Sequence, residues 1–292
     1  MIYRFIDAQK ADFPVRILCR VCEIPRSSYY DWVGRRDRVD ERNGQVVELK
    51  RKILECHKAS RGTYGSPRIT QSLKVQGTHL SRKKVALHMV ELGISGLGGR
   101  RKVRTTRRDP HASKSPDLVE RDFSAKHPDE LWVTDLTYIP TKEGWLFLVA
   151  IIDVYSRRAI GWSMADNMET QVFLDALHMA QLTRGKVIFV NTILHSDHGS
   201  QYSSKDFRDQ LRLMRITQSM GSVGNSFDNA MAESLWASLK KELVYRTTFE
   251  TIEQARLETF EWLNWYNNTR LHSSIGYLSP VRFEELRLDK IA

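Results

Sequence analysis

The run Trp145–Ile152 is the longest uninterrupted apolar stretch of the chain, with eight residues. A helix that spans a bilayer needs about 20 apolar residues, so this run is too short to cross a membrane. A short, continuous apolar run is typical of a β-strand that is buried on both faces of a sheet. We therefore predict that the second half of the chain is built on a covered β-sheet, with Trp145–Asp153 as one strand.

The segments around this strand alternate between strand-like and helix-like patterns. The β-rich run Leu131–Ile139 ends at Pro140, and Glu143-Gly144 forms a turn into the apolar strand. Further patterns predict strands at 159–164, 187–194 and 216–219, and helices at 169–182, 204–211 and 229–244. The order βββαβαβα indicates an α+β or α/β fold, in which helices flank a mixed five-stranded sheet.

The two halves of the chain differ in net charge. Residues 1–126 contain 28 Lys and Arg against 14 Asp and Glu, which gives +14, whereas residues 127–292 contain 17 against 21, which gives −4. The sum is the +10 of the 292-residue chain. A basic first half favours contact with a polyanion such as nucleic acid, followed by a part that uses carboxylates. A solvated Arg-rich face that binds nothing is the alternative.

The cysteines and the N-terminal residues indicate a cytoplasmic protein. Three cysteines, an odd number, exclude a complete disulfide framework and are typical of a reducing compartment. Cys19 and Cys22 lie inside a predicted helix, and a second Cys or His pair that would complete a zinc site with Cys56-His57 is missing, so we predict no zinc. The first thirty residues lack the apolar core of a signal peptide, and we expect no membrane partner.

Two segments of the first half have the pattern of helix-turn-helix units. In residues 13–32, Pro25 ends one helix because its ring removes a backbone donor, and the next helix begins near Ser27 and Ser28. A plain αα-hairpin is the alternative interpretation of this segment. In residues 46–97, an amphipathic helix at 46–58 precedes a loop whose Ser66 is predicted to cap the following helix, with Pro67 in its first turn.

The last helix of the second unit is predicted to contact DNA. It is capped by Ser81, ends at Gly93, and has a buried stripe of Val85, Met89 and Leu92. Its basic residues lie largely off that stripe, and the linker after residue 98 combines Gly98 and Gly99 with six basic residues. A solvated tether is the alternative role of the linker. The predicted DNA-contacting residues are Arg82, Lys83, Lys84, His88, Arg100, Arg101, Lys102, Arg104, Arg107 and Arg108.

Three acidic residues occupy positions where an α/β fold places a functional site. Asp135 lies inside the first predicted strand, where a carboxylate is costly unless it is paired or binds a metal. Asp197 follows a strand end, and Glu233 lies on the last helix of the core. Sixty-one residues separate the first two acids and 35 residues separate the last two. Each acid taken alone also fits an ordinary strand, turn or surface-helix position.

The order and spacing of these acids, together with the motifs around them, resemble the DDE transferases. Specifically, the chain resembles the second-reading-frame (OrfB) product of the insertion sequence three family of transposases, which have a retroviral-integrase-like core. The motifs are WVTDLTYI at 132–139, HSDHGSQY at 195–202, DNAMAES at 228–234, SRGTYGSPR at 60–68 and YNNTRLH at 266–272 with LSP at 278–280. Essentially the whole chain is covered.

The resemblance implies a ribonuclease H-like fold and a two-metal site. Asp135, Asp197 and Glu233 would be both catalytic and metal-binding, holding two Mg²⁺ ions, for which Mn²⁺ substitutes. Lys240, seven residues after Glu233 on the same predicted helix face, would grip a DNA phosphate. His198, Asn225 and Asn229 are predicted to orient these ligands or the substrate.

The predicted function is DNA transposition: 3′-end cleavage at the terminal inverted repeats, strand transfer, and integration into target DNA. A nuclease of the same fold that cleaves without joining, and a non-catalytic DNA-binding regulator, are the alternatives. The resemblance also implies a homo-oligomer on bacterial nucleoid DNA. It further implies fusion with, or help from, an upstream-frame (OrfA) partner, because this chain begins at its own Met without that region.

The predicted organisation has five segments, three of them helical. They are a helix-turn-helix-like segment at 1–43, a second helix-turn-helix DNA-binding domain at 46–97, a basic linker at 98–126, an integrase/ribonuclease H-like catalytic core at 127–245 and a helical tail at 246–292. The sequence leaves open whether the tail caps the core or contacts another subunit.

Overall fold

The computed structural model describes residues 1–98, 118–119, 123–197, 199–221 and 230–288. The chain divides into two compact units, Met1–Gly96 and Leu97–Ala292. The first unit is helical, and the second contains the sheet.

The first unit consists of five helices. They are α1 (Ile2–Gln9), α2 (Val15–Val21), α3 (Arg26–Ala59), α4 (Ser66–Val75) and α5 (Arg82–Glu91). The predicted turn between α2 and α3 is confirmed: Glu23 adopts a left-handed conformation with φ of 56°, and Pro25 precedes the first residue of α3. Ile6, Leu18, Cys19 and Tyr29 form the buried core of α1, α2 and the start of α3.

Helix α3 is longer than the sequence pattern predicts. It runs without a break for 34 residues, so the helix predicted at 46–58 is its second part, and the predicted boundary between residues 43 and 46 lies inside it. The segment contains no proline, and pairs such as Arg51–Glu48 link successive turns. Residues 37–45 are all exposed, so this part of α3 has no buried stripe that a sequence pattern could reveal.

The helix caps of the second half of this unit agree only in part with the predictions. Gly65, not Ser66, is the N-cap of α4, so Ser66 and Pro67 are both in its first turn. The prediction for Ser81 is confirmed, because its hydroxyl accepts a hydrogen bond from the Lys84 amide at 3.3 Å. Gly93 follows α5 with φ of 66°, which suits a residue without a side chain.

The second unit contains the predicted five-stranded mixed sheet. Its strands are β1 (Leu131–Thr141), β2 (Gly144–Asp153), β3 (Ala159–Ala165), β4 (Ile193–Ser196) and β5 (Thr217–Met220). The order across the sheet is β3-β2-β1-β4-β5. β1, β2 and β3 are antiparallel neighbours, whereas β4 is parallel to both β1 and β5.

Helices cover this sheet on both faces. They are α6 (Thr170–Arg184), α7 (Lys205–Leu213), α8 (Ala230–Glu242), α9 (Ile252–Asn268) and α10 (Pro280–Leu288). Trp132 of β1 packs in one buried cluster with Phe173 of α6 and Phe207 of α7. Side chains alternate between the faces of a strand, so Asp135, which contacts α8, faces the opposite side from Trp132.

Two predicted strand limits are wrong. β1 continues through Pro140 to Thr141. Proline has no backbone N–H, but β1 pairs with β4 only over Leu131–Val133, so near Pro140 the strand pairs with β2 alone and needs no donor on its other side. The predicted strand at 187–194 begins only at Ile193. Asn191 has φ of 70°, and the Phe189 amide donates instead to the Met214 carbonyl at 2.8 Å.

Helix α9 covers the outer edge of strand β3. The Asn267 amide bonds both backbone groups of Ala159, at 3.0 Å and 2.8 Å. Arg256 donates to the carbonyl of Met164 near the other end of the strand. These contacts occupy backbone groups that would otherwise be open to pairing with another chain. The tail from residue 246 therefore caps the sheet of its own unit.

Strand β3 and helix α6 approach each other closely at Gly161. A Cβ atom there would lie 2.1 Å from the Ala176 carbonyl oxygen and 2.7 Å from the Ala180 amide nitrogen. Since the overlap is with backbone, we expect Gly161→Ala to lower the free energy of unfolding by about 1–3 kcal/mol, measured by urea denaturation. Gly44→Ala in α3, where nothing lies within 4 Å, is the control and should not destabilise. Unchanged stability of the Gly161 variant would contradict this packing.

Candidate active site

Asp135 is held in place by two hydrogen bonds in the middle of β1. Its Oδ2 accepts from the indole Nε1 of Trp236 on α8 at 3.0 Å, and its Oδ1 accepts from the amide of Leu136 at 2.9 Å. The side chain is partly buried. Both oxygens therefore act as acceptors, an arrangement that suits the ionised carboxylate.

Asp197 directly follows the neighbouring strand β4, at the level of Asp135. Val133 of β1 pairs in parallel register with His195 of β4, so each aspartate follows a paired residue by two positions. Neighbouring strands are about 4.8 Å apart, which brings the two carboxylates to the same edge. Asp197 is exposed and its Oδ1 accepts from the Gly199 amide at 3.0 Å.

Glu233 lies in the first turn of α8 and is exposed. Trp236 and Lys240 follow it by three and seven positions, which places all three on one side of the helix. Since Trp236 bonds Asp135, this side of α8 faces strand β1.

The charges of Asp197 and Glu233 act on Asp135. Burial raises the pKa of Asp135 from 3.8 to about 7, and the negative charge of Asp197 is the second cause. Glu233 raises this pKa further, whereas the bonds from the Leu136 amide and Trp236 lower it. A raised pKa means that the ionised carboxylate is destabilised, and a bound cation would stabilise it.

The donor chemistry of the cluster suits a hard divalent cation. The acids offer carboxylate oxygens from the middle of β1, from the end of β4 and from the facing helix α8, and such oxygens are the ligands that Mg²⁺ prefers. In the part of the chain that the structure describes, however, no group of three or more His, Cys, Asp or Glu side chains is spaced to hold a metal ion. The donor chemistry of the three acids suits such an ion, whereas their spacing in this structure does not form a ligand set.

Four of the predicted DNA-contacting residues are at the surface or near the acids. Arg82, Lys83 and Lys84 are exposed in the first turn of α5. The Nζ atom of Lys240 lies 5.2 Å from the centre of the Tyr138 ring, close to β1.

His88 does not match its predicted role in DNA contact. Its side chain is buried, and its Nδ1 lies 2.9 Å from a carboxylate oxygen of Glu91. His88 follows Val85 by three positions and precedes Met89, so helical periodicity places it on the buried side of α5. The prediction that it lies off that stripe is wrong.

The remaining predicted site residues lie outside the described residues. In the linker these are Arg100, Arg101, Lys102, Arg104, Arg107 and Arg108, and near the acids they are His198, Asn225 and Asn229.

The structure adds Trp236 to the residues around the site. Its position three residues after Glu233 was the available signal, because i and i+3 share a helix face. The structure also assigns Asp153 a turn-forming role: its buried carboxylate accepts from the amides of Tyr155 and Asp129.

Among the described residues, no helix is both long and apolar enough to cross a bilayer.

Family models match three stretches of the chain. Two models described as "Integrase core domain" match residues 125–226 and 214–280, and one described as "HTH-like domain" matches residues 45–103.

Curated relatives match the chain along its whole length. Transposase InsF for insertion sequence IS3A of Escherichia coli (strain K12) is 37% identical over 289 residues, 99% of this chain and 100% of its own length. Transposase InsF for IS3fB of the same strain is 36% identical over the same shares. The solved HTLV-2 integrase catalytic core domain in complex with magnesium (trimeric form) is 15% identical, over 55% of this chain and 99% of that chain, with a TM-score of 0.44. The chain belongs to the transposases of the insertion sequence IS3 family, enzymes with an integrase-type catalytic core.

Proposed function

We propose that Asp135, Asp197 and Glu233 form the catalytic centre of this transposase and bind the divalent cations for DNA cleavage and strand transfer. The observation that supports this most strongly is the parallel register of β1 and β4, which pairs Val133 with His195 and so puts Asp135 and Asp197, the residue after β4, at the same level. The raised pKa of Asp135, to which both other acids contribute, adds to it. A cluster of carboxylates that repel one another is costly unless a cation joins it.

We further propose two Mg²⁺ ions per site, with Mn²⁺ as a substitute. When bound, such ions would activate the attacking oxygen and stabilise the leaving oxygen of a phosphodiester. Asp135 would be the ligand shared by both ions, with Asp197 completing one set and Glu233 the other. Trp236 holds the Asp135 carboxylate in one orientation through its indole N–H.

The proposed substrate is double-stranded DNA, both the terminal inverted repeats of the element and the target. Arg82, Lys83 and Lys84 lie at the exposed N-terminus of α5, where cations and backbone amides suit phosphate contact. Lys240 is positioned for a phosphate near the acids, and the basic residues of segment 98–126 add sequence-independent affinity. We propose a homo-oligomer on nucleoid DNA in the bacterial cytoplasm, with or without an upstream-frame partner. The proposed organisation keeps the five predicted segments with one change: the continuous helix α3 joins segments 1–43 and 46–97. The tail is attached to the core.

The experiment uses purified protein, a labelled duplex of the element end, and Mg²⁺. We expect joined products that disappear with chelator and with Asp197→Asn or Glu233→Gln, while DNA binding is largely retained. Asp175→Asn, an exposed acid on α6, is the matched control and should leave joining intact.

Other outcomes would redirect the assignment. Joining that persists in either acid variant would remove that residue from the site. Cleavage without joining by the native protein would favour a nuclease or an assembly without its upstream partner. Binding without any chemistry would favour a regulator.

A further inference from the structure

Two large aromatic side chains lie exposed on the sheet close to the acid cluster. Tyr138 of β1 is 53% exposed and Trp145 of β2 is 51% exposed. Their rings meet edge to face, with centroids 5.0 Å apart and an angle of 86° between the planes. About half of the surface of each residue remains open to solvent, so packing of the folded chain does not account for this pair.

The pair lies within reach of a DNA strand that enters the acid cluster. Tyr138 follows Asp135 by three residues along β1, a distance of about 10 Å, which corresponds to about three nucleotides of rise in one DNA strand. Alternation places the Tyr138 side chain on the other face from Asp135. Strand β4 pairs with β1 only through Val133, so the edge between these two residues is not covered by β4.

Helix α8 contacts both Asp135 and the aromatic pair. Trp236 bonds Asp135, and one turn later Lys240 holds its ammonium 5.2 Å from the centre of the Tyr138 ring. An ammonium over an aromatic ring, next to a second exposed ring, supplies both parts of a nucleotide site. The cation attracts the phosphate, and the ring faces stack with the base.

We propose that Tyr138 and Trp145 stack against an unpaired base of the DNA strand whose end lies at the acid cluster, with Lys240 contacting the adjacent phosphate. The inference rests on the proposed function for the position of the strand end. Bases inside a duplex present only their edges, so an aromatic face can stack on such a base only after it leaves the helix. The pair therefore favours DNA ends whose last base pairs have opened.

The test measures equilibrium binding without divalent ions, so that it does not depend on catalysis. The probes are three element-end duplexes that carry, within the last three nucleotides, a paired base, an unpaired base or an abasic site. We expect native protein to bind the unpaired-base end about 5- to 100-fold more tightly than the abasic end. Tyr138→Ala and Trp145→Ala should reduce this ratio towards one, whereas Tyr138→Phe and Trp145→Phe should retain most of it.

A matched control comes from the β3 edge of the sheet. Phe260 of α9 is 49% exposed and lies 6.4 Å from Trp162 of β3, so Phe260→Ala removes an aromatic ring of similar exposure away from the acids. It should leave the ratio unchanged. Thermal denaturation of each variant checks that it is folded.

Three outcomes separate this inference from its alternatives. Alanine variants that keep the native ratio would overturn it. Alanine variants that alter the oligomeric state and keep the ratio would also overturn it and would make the pair a subunit contact. A native ratio that depends on the aromatic pair, in a protein without metal-dependent joining, would support base stacking while the proposed function fails.

Discussion

The Asp135→Asn substitution is expected to stabilise the metal-free protein above pH 7 and, at the same time, to reduce strand transfer by about 10³-fold or more. The loss of activity follows from removing the ligand proposed to be shared by both metal ions. The gain in stability follows from the pKa of Asp135, which burial and Asp197 raise from 3.8 to about 7. The ionised carboxylate therefore destabilises the folded state.

The size of the effect follows from the pKa difference. A difference of about three pKa units corresponds to about 4 kcal/mol as an upper limit. Two factors reduce this limit. The side chain is only partly buried, and an asparagine oxygen can replace only one of the two acceptors that bond Trp236 and the Leu136 amide. We therefore expect a gain of about 1–3 kcal/mol, or about 2–10 °C in Tm.

The stability difference between native protein and the Asp135→Asn variant depends on pH. Well below pH 3.8 the carboxyl is protonated in both folded and unfolded chains, so native protein and variant should be equally stable there. As pH rises to 7 the unfolded chain loses its proton first, and the native protein loses stability relative to the variant. Above pH 7 the difference should be constant.

Thermal denaturation in chelator between pH 4 and pH 8.5 measures this difference. The Asp175→Asn variant serves as the control, because its carboxylate is exposed on α6. Added Mg²⁺ should raise the Tm of the native protein at pH 8 and should have little effect on the Asp135 variant. A variant that is less stable than native protein at pH 8 would show that Asp135 is not repelled by its neighbours.

The sheet and the positions of the acids could be predicted because local patterns carry them. Apolar runs and turn residues marked the five strands, and the motif around Asp135 lay inside one of them. The contact between Trp236 and Asp135 could not be predicted with the same ease. It joins residues 101 positions apart and depends on where α8 crosses β1.

Two other differences have local physical causes. The middle of α3 is exposed on every side, so no apolar periodicity marks its continuity, and the chain was divided there. His88 was assigned to the surface by residue type, whereas its helical position beside Val85 and Met89 buries it. The position of His88 on the helix decides its burial more strongly than its polarity does. The burial is tolerated because the carboxylate of Glu91 pairs with the imidazole ring.

A buried group of charges joins the end of the sheet to the C-terminal helix. The Arg184 guanidinium at the end of α6 forms ion pairs with Asp129, Asp153 and Glu284, the last of which lies on α10. These carboxylates are 9%, 0% and 4% exposed, respectively. Lys186 pairs with Asp129 and Arg158 pairs with Glu284, so three cations balance three anions.

The Arg184→Met substitution is expected to lower the free energy of unfolding by about 3–5 kcal/mol, because it leaves buried carboxylates without their shared cation while keeping an apolar side chain. Arg212→Met, which removes an exposed pair with Asp209, should cost less than about 1 kcal/mol. Urea denaturation of both variants at pH 7.5 measures the difference.

Lower pH should restore part of the stability of the Arg184 variant. Burial raises the pKa of Asp153, and the charge of Arg184 opposes that rise. Without the guanidinium the pKa of Asp153 rises further, so this carboxyl takes up a proton on acidification while the same group in the unfolded chain is still ionised. The loss measured at pH 7.5 should therefore shrink at pH 5, and adding Asp153→Asn to Arg184→Met should recover part of it at pH 7.5. An equal loss at both pH values, with no recovery in the double variant, would mean that Arg184 acts through packing alone and that its charge does not hold α10 to the sheet.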